Sequence, residues 1–290
     1  MIEYLLEPFS YAYMAKAIWV CALVGGTCAF LSSYLMLKGW SLMGDALGHA
    51  IVPGVALAYL LSLPYSLGAF FAGILAAFSM MIVKQKTKLR EDAIIGLIYT
   101  TFFAIGLLLV SINPTAVNLQ AIILGNILSI SDYDVQQVVI ISGICLIALG
   151  FKWRDMVAVF FDESHAQSIG LPVNTLKIMF FTLLSAATVT ALQTVGACLV
   201  IAMVITPGAT AYLLTDRFGR LIIISILLGS ITSAFGAYLS YFLNANTGGL
   251  IVSMQTLIFL IAFIFAPKHG LLKRRKAIAS SYKTQYTDTI

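Results

Sequence analysis

The sequence predicts an all-α membrane protein, a polytopic bundle of about nine transmembrane helices, with eight to ten crossings compatible with its pattern. Three observations predict it. Of 290 residues, 60% are hydrophobic and only 10% are charged, with a mean hydropathy of +0.98. A soluble domain carries about 25% charged residues. The apolar residues also fall in runs of roughly 17–25, the length that crosses a bilayer. Finally, with the runs alternating across the membrane, 16 of the 17 Lys and Arg fall on one side.

The runs cover residues 15–37, 42–62, 66–83, 93–111, 135–151, 174–194, 196–214, 221–243 and 249–266. A shorter stretch at 116–130 is broken by Asn118, Gln120 and Asn126 and reads as an interfacial or re-entrant helix. Pro114 and Gly196 blur two boundaries, which is why the count has a range. The start of the chain has Glu3 and Glu7 and no early Lys or Arg, so the spans themselves direct insertion.

Orientation follows from the basic residues. With the C-terminus in the cytoplasm and the N-terminus outside, every Lys and Arg except Lys16 lies inside. These include Lys38, the cluster Lys84, Lys86, Lys88 and Arg90, and the run Lys273 to Lys276. Residues 1–272 read as one transmembrane domain and 273–290 as a basic, flexible cytoplasmic tail facing anionic lipid. The outer side carries Glu3, Glu7, Asp132 and Asp134, too scattered to steer cations strongly. Cys21, Cys28, Cys145 and Cys198 all lie in apolar runs with no C-x-x-C spacing and read as packing residues.

One pair of ionisable residues falls inside a span. Asp45 and His49 are four apart, on one helical face and one turn from each other. Ionisable groups within a span are costly and mark ion pathways. Carboxylate plus imidazole suits Mn, Fe or Zn. A bland alternative stays open: Asp45 as a first-turn residue of a helix capped by Ser41, with His49 as its hydrogen-bond partner. Gly44 and Gly48 form a small-x-x-x-small pair on an adjacent face, which permits close helix approach. If the same span of a second copy approaches there, two Asp and two His converge; one chain alone supplies only two ligands. Pro53 has no N–H, which frees the His49 carbonyl for water or ion, or simply kinks the helix.

Between the fifth and sixth runs, residues 162–172 read as a short capped helix. Asp162 is the N-cap, Gly170 the residue after the end, and Pro172 blocks continuation, with Ala166 and Ile169 sharing a face. Such a helix lying along the membrane is a docking element for a partner or a lid on its own bundle. No G-x-x-x-x-G-K-[ST] loop occurs, so ATP hydrolysis belongs to another chain.

These residues resemble the integral membrane subunits of bacterial ABC importers for manganese, zinc and chelated iron. The resemblance runs from Ala15 to Leu272. Its most specific piece is residues 37–54, from Leu37-Lys38-Gly39-Trp40-Ser41 through Gly44-Asp45 and Gly48-His49 to Pro53-Gly54. Further pieces are Phe161-Asp162-Glu163 to Gly170-Leu171-Pro172, then Gln193-Thr194-Val195-Gly196, Ile205-Thr206-Pro207-Gly208 and Phe265-Ala266-Pro267-Lys268-His269-Gly270. The resemblance implies a bacterial inner-membrane permease that works as a homodimer or with a paired homologue. It implies two cytoplasmic ATP-binding subunits and an external metal-binding protein as partners, and no nucleic acid. It places Asp45 and His49 on the metal path at the dimer axis, with Gly44, Gly48 and Pro53 packing helices beside it. It also makes residues 162–171 a coupling helix, where Asp162, Glu163, His165, Ala166, Ile169, Gly170 and Leu171, with Phe161 just before them, meet the ATPase. Gly48 departs from the family, which often has Ser there and so one more hydroxyl.

The implied cargo is a divalent metal, Mn(II) foremost with Fe(II) or Zn(II) open, and no covalently bound cofactor. Because its ligands must be deprotonated, transport is expected to fall at acid pH. The competing class is a proton- or sodium-coupled secondary carrier. Such carriers need further intramembrane ionisable groups, and outside Asp45 and His49 the spans offer neutral ones such as Thr190, Gln193 and Thr206. A third class is a non-transporting assembly or sensor protein.

Overall fold

The structure is a computed structural model that describes residues 2–40, 42–112, 127 and 130–266. Several sequence expectations lie outside these residues: the Ser41 cap, most of the 116–130 stretch, the Pro267–Gly270 motif and the basic tail. The described chain is helical throughout, with helices α1 (Ile2–Ser10), α2 (Ala12–Lys38), α3 (Met43–Ala50), α4 (Val52–Leu60), α5 (Tyr65–Lys86), α6 (Glu91–Ile112), α7 (Asp132–Phe161), α8 (Glu163–Ser168), α9 (Val173–Val195), α10 (Ala197–Leu214), α11 (Phe218–Leu243) and α12 (Thr247–Phe265). Eight segments, with α3 and α4 counted as one, are long and apolar enough to cross a membrane, and Leu199–Leu214 in α10 adds a shorter apolar helix.

α2 is the axis of the bundle. Its buried positions run on every side, from Met14 to Leu35. Lipid offers no hydrophobic gain for helix association, so close contact of small residues has to supply it. A stripe of Gly25, Gly26, Ala29, Ser32 and Ser33 does so. A Cβ on Gly229 of α11 would sit 2.5 Å from the Ala29 methyl. Ser225 of α11 donates to the Ala29 carbonyl at 2.7 Å. On another side, Ser32 bridges α10 where Pro207 interrupts its hydrogen-bond ladder: its hydroxyl accepts from the Gly208 N–H at 3.1 Å and donates to the Ile205 carbonyl at 3.2 Å. Backbone groups in lipid must find partners within the protein. Ser32→Ala is therefore expected to lower stability by about 1 kcal/mol, read as a lower unfolding midpoint in detergent; an unchanged midpoint would show the hydroxyl to be idle.

Two breaks shape the bundle. Gly196 joins α9 to α10 by a single residue with φ +86°, a conformation open to glycine and strained for other residues. The second run, expected as one helix, is two: α3 and α4 meet at Ile51, and Pro53 occupies the first turn of α4.

The ends of the bundle are tied by charged pairs. At one end Lys16 pairs with Asp132, joining the starts of α2 and α7. At the other, Glu91 at the start of α6 accepts from both Lys84 of α5 and the indole N–H of Trp40.

Candidate functional site

α3 is a short helix wedged into the bundle. Of its eight residues, every one is buried except Asp45 and His49. His49 Nε2 lies 3.2 Å from an Asp45 carboxylate oxygen, and the two side chains are 38% and 37% exposed. The opposite faces of α3 are spent on packing, with Met43, Ala46, Leu47 and Ala50 at 1% exposure or less. The local pattern thus turns one carboxylate and one imidazole, a turn apart, out of the chain on a helix otherwise packed away.

The site has a wall from α6. The His49 ring sits 5.7 Å from the Tyr99 ring and 5.2 Å from that of Phe103, which meets it edge to face at 70°. These aromatics, one turn apart on α6, limit the orientations of the imidazole while leaving its Nε2 edge on Asp45. Behind α3 stands α10. A Cβ on Gly44 would fall 2.8 Å from Val204, and one on Gly48 3.9 Å from Ile201. The glycine pair therefore does admit a close helix, and that helix is α10 of the same chain. Pro53 packs on α6, where a Cβ on Gly106 would meet its ring within 3.0 Å. The His49 carbonyl is not left open, because the Ile51 N–H turns back onto it.

Among the described residues no group of three or more His, Cys, Asp or Glu side chains comes together. Asp45 and His49 supply two ligands, and a selective transition-metal site needs about four. Among the described residues the pair has no third such side chain beside it. Cys21, Cys28 and Cys145 are buried in the bundle, away from this surface.

The segment after α7 folds as its caps dictate. Asp162 accepts from the His165 N–H at 3.0 Å, α8 spans Glu163–Ser168, and Gly170 ends it at φ +80° with the Leu171 N–H returning to the Ala166 carbonyl at 3.0 Å. Ala166 is fully buried under α8, whereas Phe161 and Ile169 are 78% and 56% exposed. The expectation that Ala166 and Ile169 share a face fails: Ile169 is the C-cap, where the backbone leaves the helix. Glu163 pairs with Lys177 of α9, whose side chain is only 10% exposed. His165 is exposed on the outer side of α8.

Sequence reasoning missed Tyr99, Phe103, Glu91 and Lys177. Tyr99 and Phe103 looked like any aromatics in an apolar run. The Lys84–Glu91 pair was detectable as opposite charges seven residues apart across a turn.

An all-helical polytopic bundle with a carboxylate–imidazole pair at an open helix face, and a capped surface helix between two spans, defines a membrane transport subunit. The chain belongs to the ABC 3 transport family, whose model matches residues 10–266. It is 69% identical over 275 residues, covering 95% of this chain and 94% of the relative, to the chelated iron transport system membrane protein YfeC of Yersinia pestis. It is 47% identical over 273 residues, covering 93% and 88%, to the manganese transport system membrane protein MntB of Synechocystis. Its fold matches PsaBC from Streptococcus pneumoniae, solved in complex with Fab, with TM-score 0.83, 33% identity and coverage of 95% of this chain and 100% of that one.

Proposed function

We propose that this chain is the permease of an ATP-driven importer that carries a divalent transition metal through the bacterial inner membrane along a path lined by Asp45 and His49. The observation that carries this is the single open face of α3. A carboxylate and an imidazole in a lipid-embedded helix are too costly to leave against hydrocarbon, and a second permease, identical or homologous, covers them. Two such pairs give two carboxylates and two imidazoles, a set whose two negative charges a divalent cation neutralises. Cytoplasmic ATP-binding subunits dock at α8, with Phe161 and Ile169 as apolar contacts, and an external binding protein delivers the metal to the opposite end. The C-terminus then lies in the cytoplasm and the N-terminus outside.

The cargo on this reading is Mn(II), and residues 37–41 look more like the manganese and iron members of the family than the zinc ones. Fe(II) is the second reading, favoured by the relative at 69% identity named for chelated iron. Both accept mixed nitrogen and oxygen ligands.

The test is uptake into proteoliposomes holding the permease with its ATPase and binding protein. Uptake is expected to require hydrolysable ATP and to persist when proton and sodium gradients are collapsed, with Mn(II) and Fe(II) each suppressing the other. Uptake driven by a gradient without ATP would establish the secondary carrier instead.

A further inference from the structure

We infer that Trp40 and Lys177 are positioning residues that carry displacement of α8 to the Asp45–His49 layer, an inference that rests on the transport reading above. Lys177 is the start of the route. Its ammonium is nearly buried and paired with Glu163 on α8. A buried charge cannot be left without its partner, so a movement of α8 takes the first turns of α9 with it. One turn further along α9, Phe181 stacks on Trp40 with ring centroids 5.5 Å apart and planes at 18°. Phe160, immediately before the segment that leads into α8, meets the same indole edge to face at 5.6 Å. Trp40 is thus gripped by the residues on both sides of the docking helix.

From Trp40 the route divides toward both walls of the site. By chain connection, Trp40 lies three residues before α3, and the Met43 N–H bonds to its carbonyl at 3.1 Å. By hydrogen bond, its indole N–H is held by Glu91, the first residue of α6. α3 carries Asp45 and His49, and α6 carries the Tyr99 and Phe103 rings that bracket His49. Glu91 is itself fixed by Lys84, whose ammonium lies 5.5 Å from the centre of the Trp40 ring. Lys177, Trp40, Lys84 and Glu91 all line one small cavity beneath α3. An inward pull on α8 would therefore move α3 and α6 relative to each other, changing the spacing around the imidazole between metal-holding and metal-releasing states.

The test separates coupling from binding. In proteoliposomes with the complete complex, Lys177→Met is expected to keep ATP hydrolysis while Mn(II) moved per ATP falls by about tenfold. The charge swap Glu163→Lys with Lys177→Glu is expected to restore it toward wild type. Trp40→Phe and Glu91→Gln should each lower the same ratio, and the double variant should be no worse than either, as for two ends of one link. Mn(II) binding without ATP, measured on the purified complex, should be unchanged in all of these and lost in Asp45→Ala. Normal uptake per ATP in Lys177→Met, a swap no better than its worse single variant, or loss of Mn(II) binding in the Lys177 or Trp40 variants would overturn the inference. Retained binding in Asp45→Ala would strike the assigned metal path instead and leave the coupling result to stand on its own.

Discussion

Alanine at Asp45 or at His49 is expected to abolish Mn(II) uptake while leaving the protein inserted and folded. The two halves of this expectation come from the same geometry. Both side chains are more than a third exposed on the described chain, and neither fills space in the core, which at α3 is made by Met43, Ala46, Leu47 and Ala50. Truncating such positions usually changes stability by less than about 0.5 kcal/mol. Transport is different. On the proposed path each substitution in a homodimer would remove two ligands at once, and even residues that only orient a ligand cost about 10–100-fold when lost. A drop beyond about 100-fold is therefore expected for either variant, with Asp45→Asn close to Asp45→Ala because the amide keeps the shape and loses the charge. The double variant is expected to be no worse than either single one, since the ligands act as a unit. Metal uptake close to wild type in both single variants, with the proteins shown to be present in the membrane, would remove the pair from the path.

The parts of the molecule that the sequence made legible are those set by local rules. The runs found the spans because length and hydropathy alone decide which helices cross lipid. Asp162, Gly170 and Pro172 placed α8 to within a residue, because a cap and a stop are chemical facts about single residues. Pro53 marked the place where the second span divides. What stayed hidden depends on which helices meet. The sequence shows that Gly44 and Gly48 permit a close neighbour, but nothing local says whether that neighbour is α10 or another chain. α7 extends to 30 residues, beyond the apolar run at 135–151, because Lys152, Arg154 and Asp155 continue the helix as far as Phe161.

The candidate site divides in the same way. Asp45 and His49 stand out because ionisable residues are rare in spans, so their chemistry alone flags them. Tyr99 and Phe103 belong to a helix some fifty residues further along and are ordinary span residues by composition; only the crossing of α3 and α6 brings them to the imidazole. The Trp40–Glu91 link is the same kind of fact, since its two ends are 51 residues apart.

Gly54→Leu is expected to be the most damaging substitution for the fold, and it would damage the site from a distance. Gly54 of α4 and Gly68 of α5 face each other so closely that a Cβ on either would run into the carbonyl of the other. One turn away, the methyls of Ala72 and Ala58 close the same crossing, each 2.6 Å from where those Cβ atoms would lie. Here the obstacle is mainly backbone, which cannot swing aside as a side-chain tip can. A leucine has to force α4 off α5, at a cost of about 3 kcal/mol. The displacement does not stop there, because only Ile51 separates α4 from α3. Loss of Mn(II) binding is thus expected alongside a lower unfolding midpoint. The comparison is Gly150→Ala in α7, where a Cβ meets nothing within 4 Å; alanine there is expected to be neutral or to stabilise by about 0.5–1 kcal/mol through helix propensity. Two glycines of the same fold then give opposite signs for one physical reason, the presence or absence of a second backbone at contact. If Gly54→Leu unfolds at the wild-type temperature and still binds metal, the α4–α5 crossing is not what holds the broken span in place.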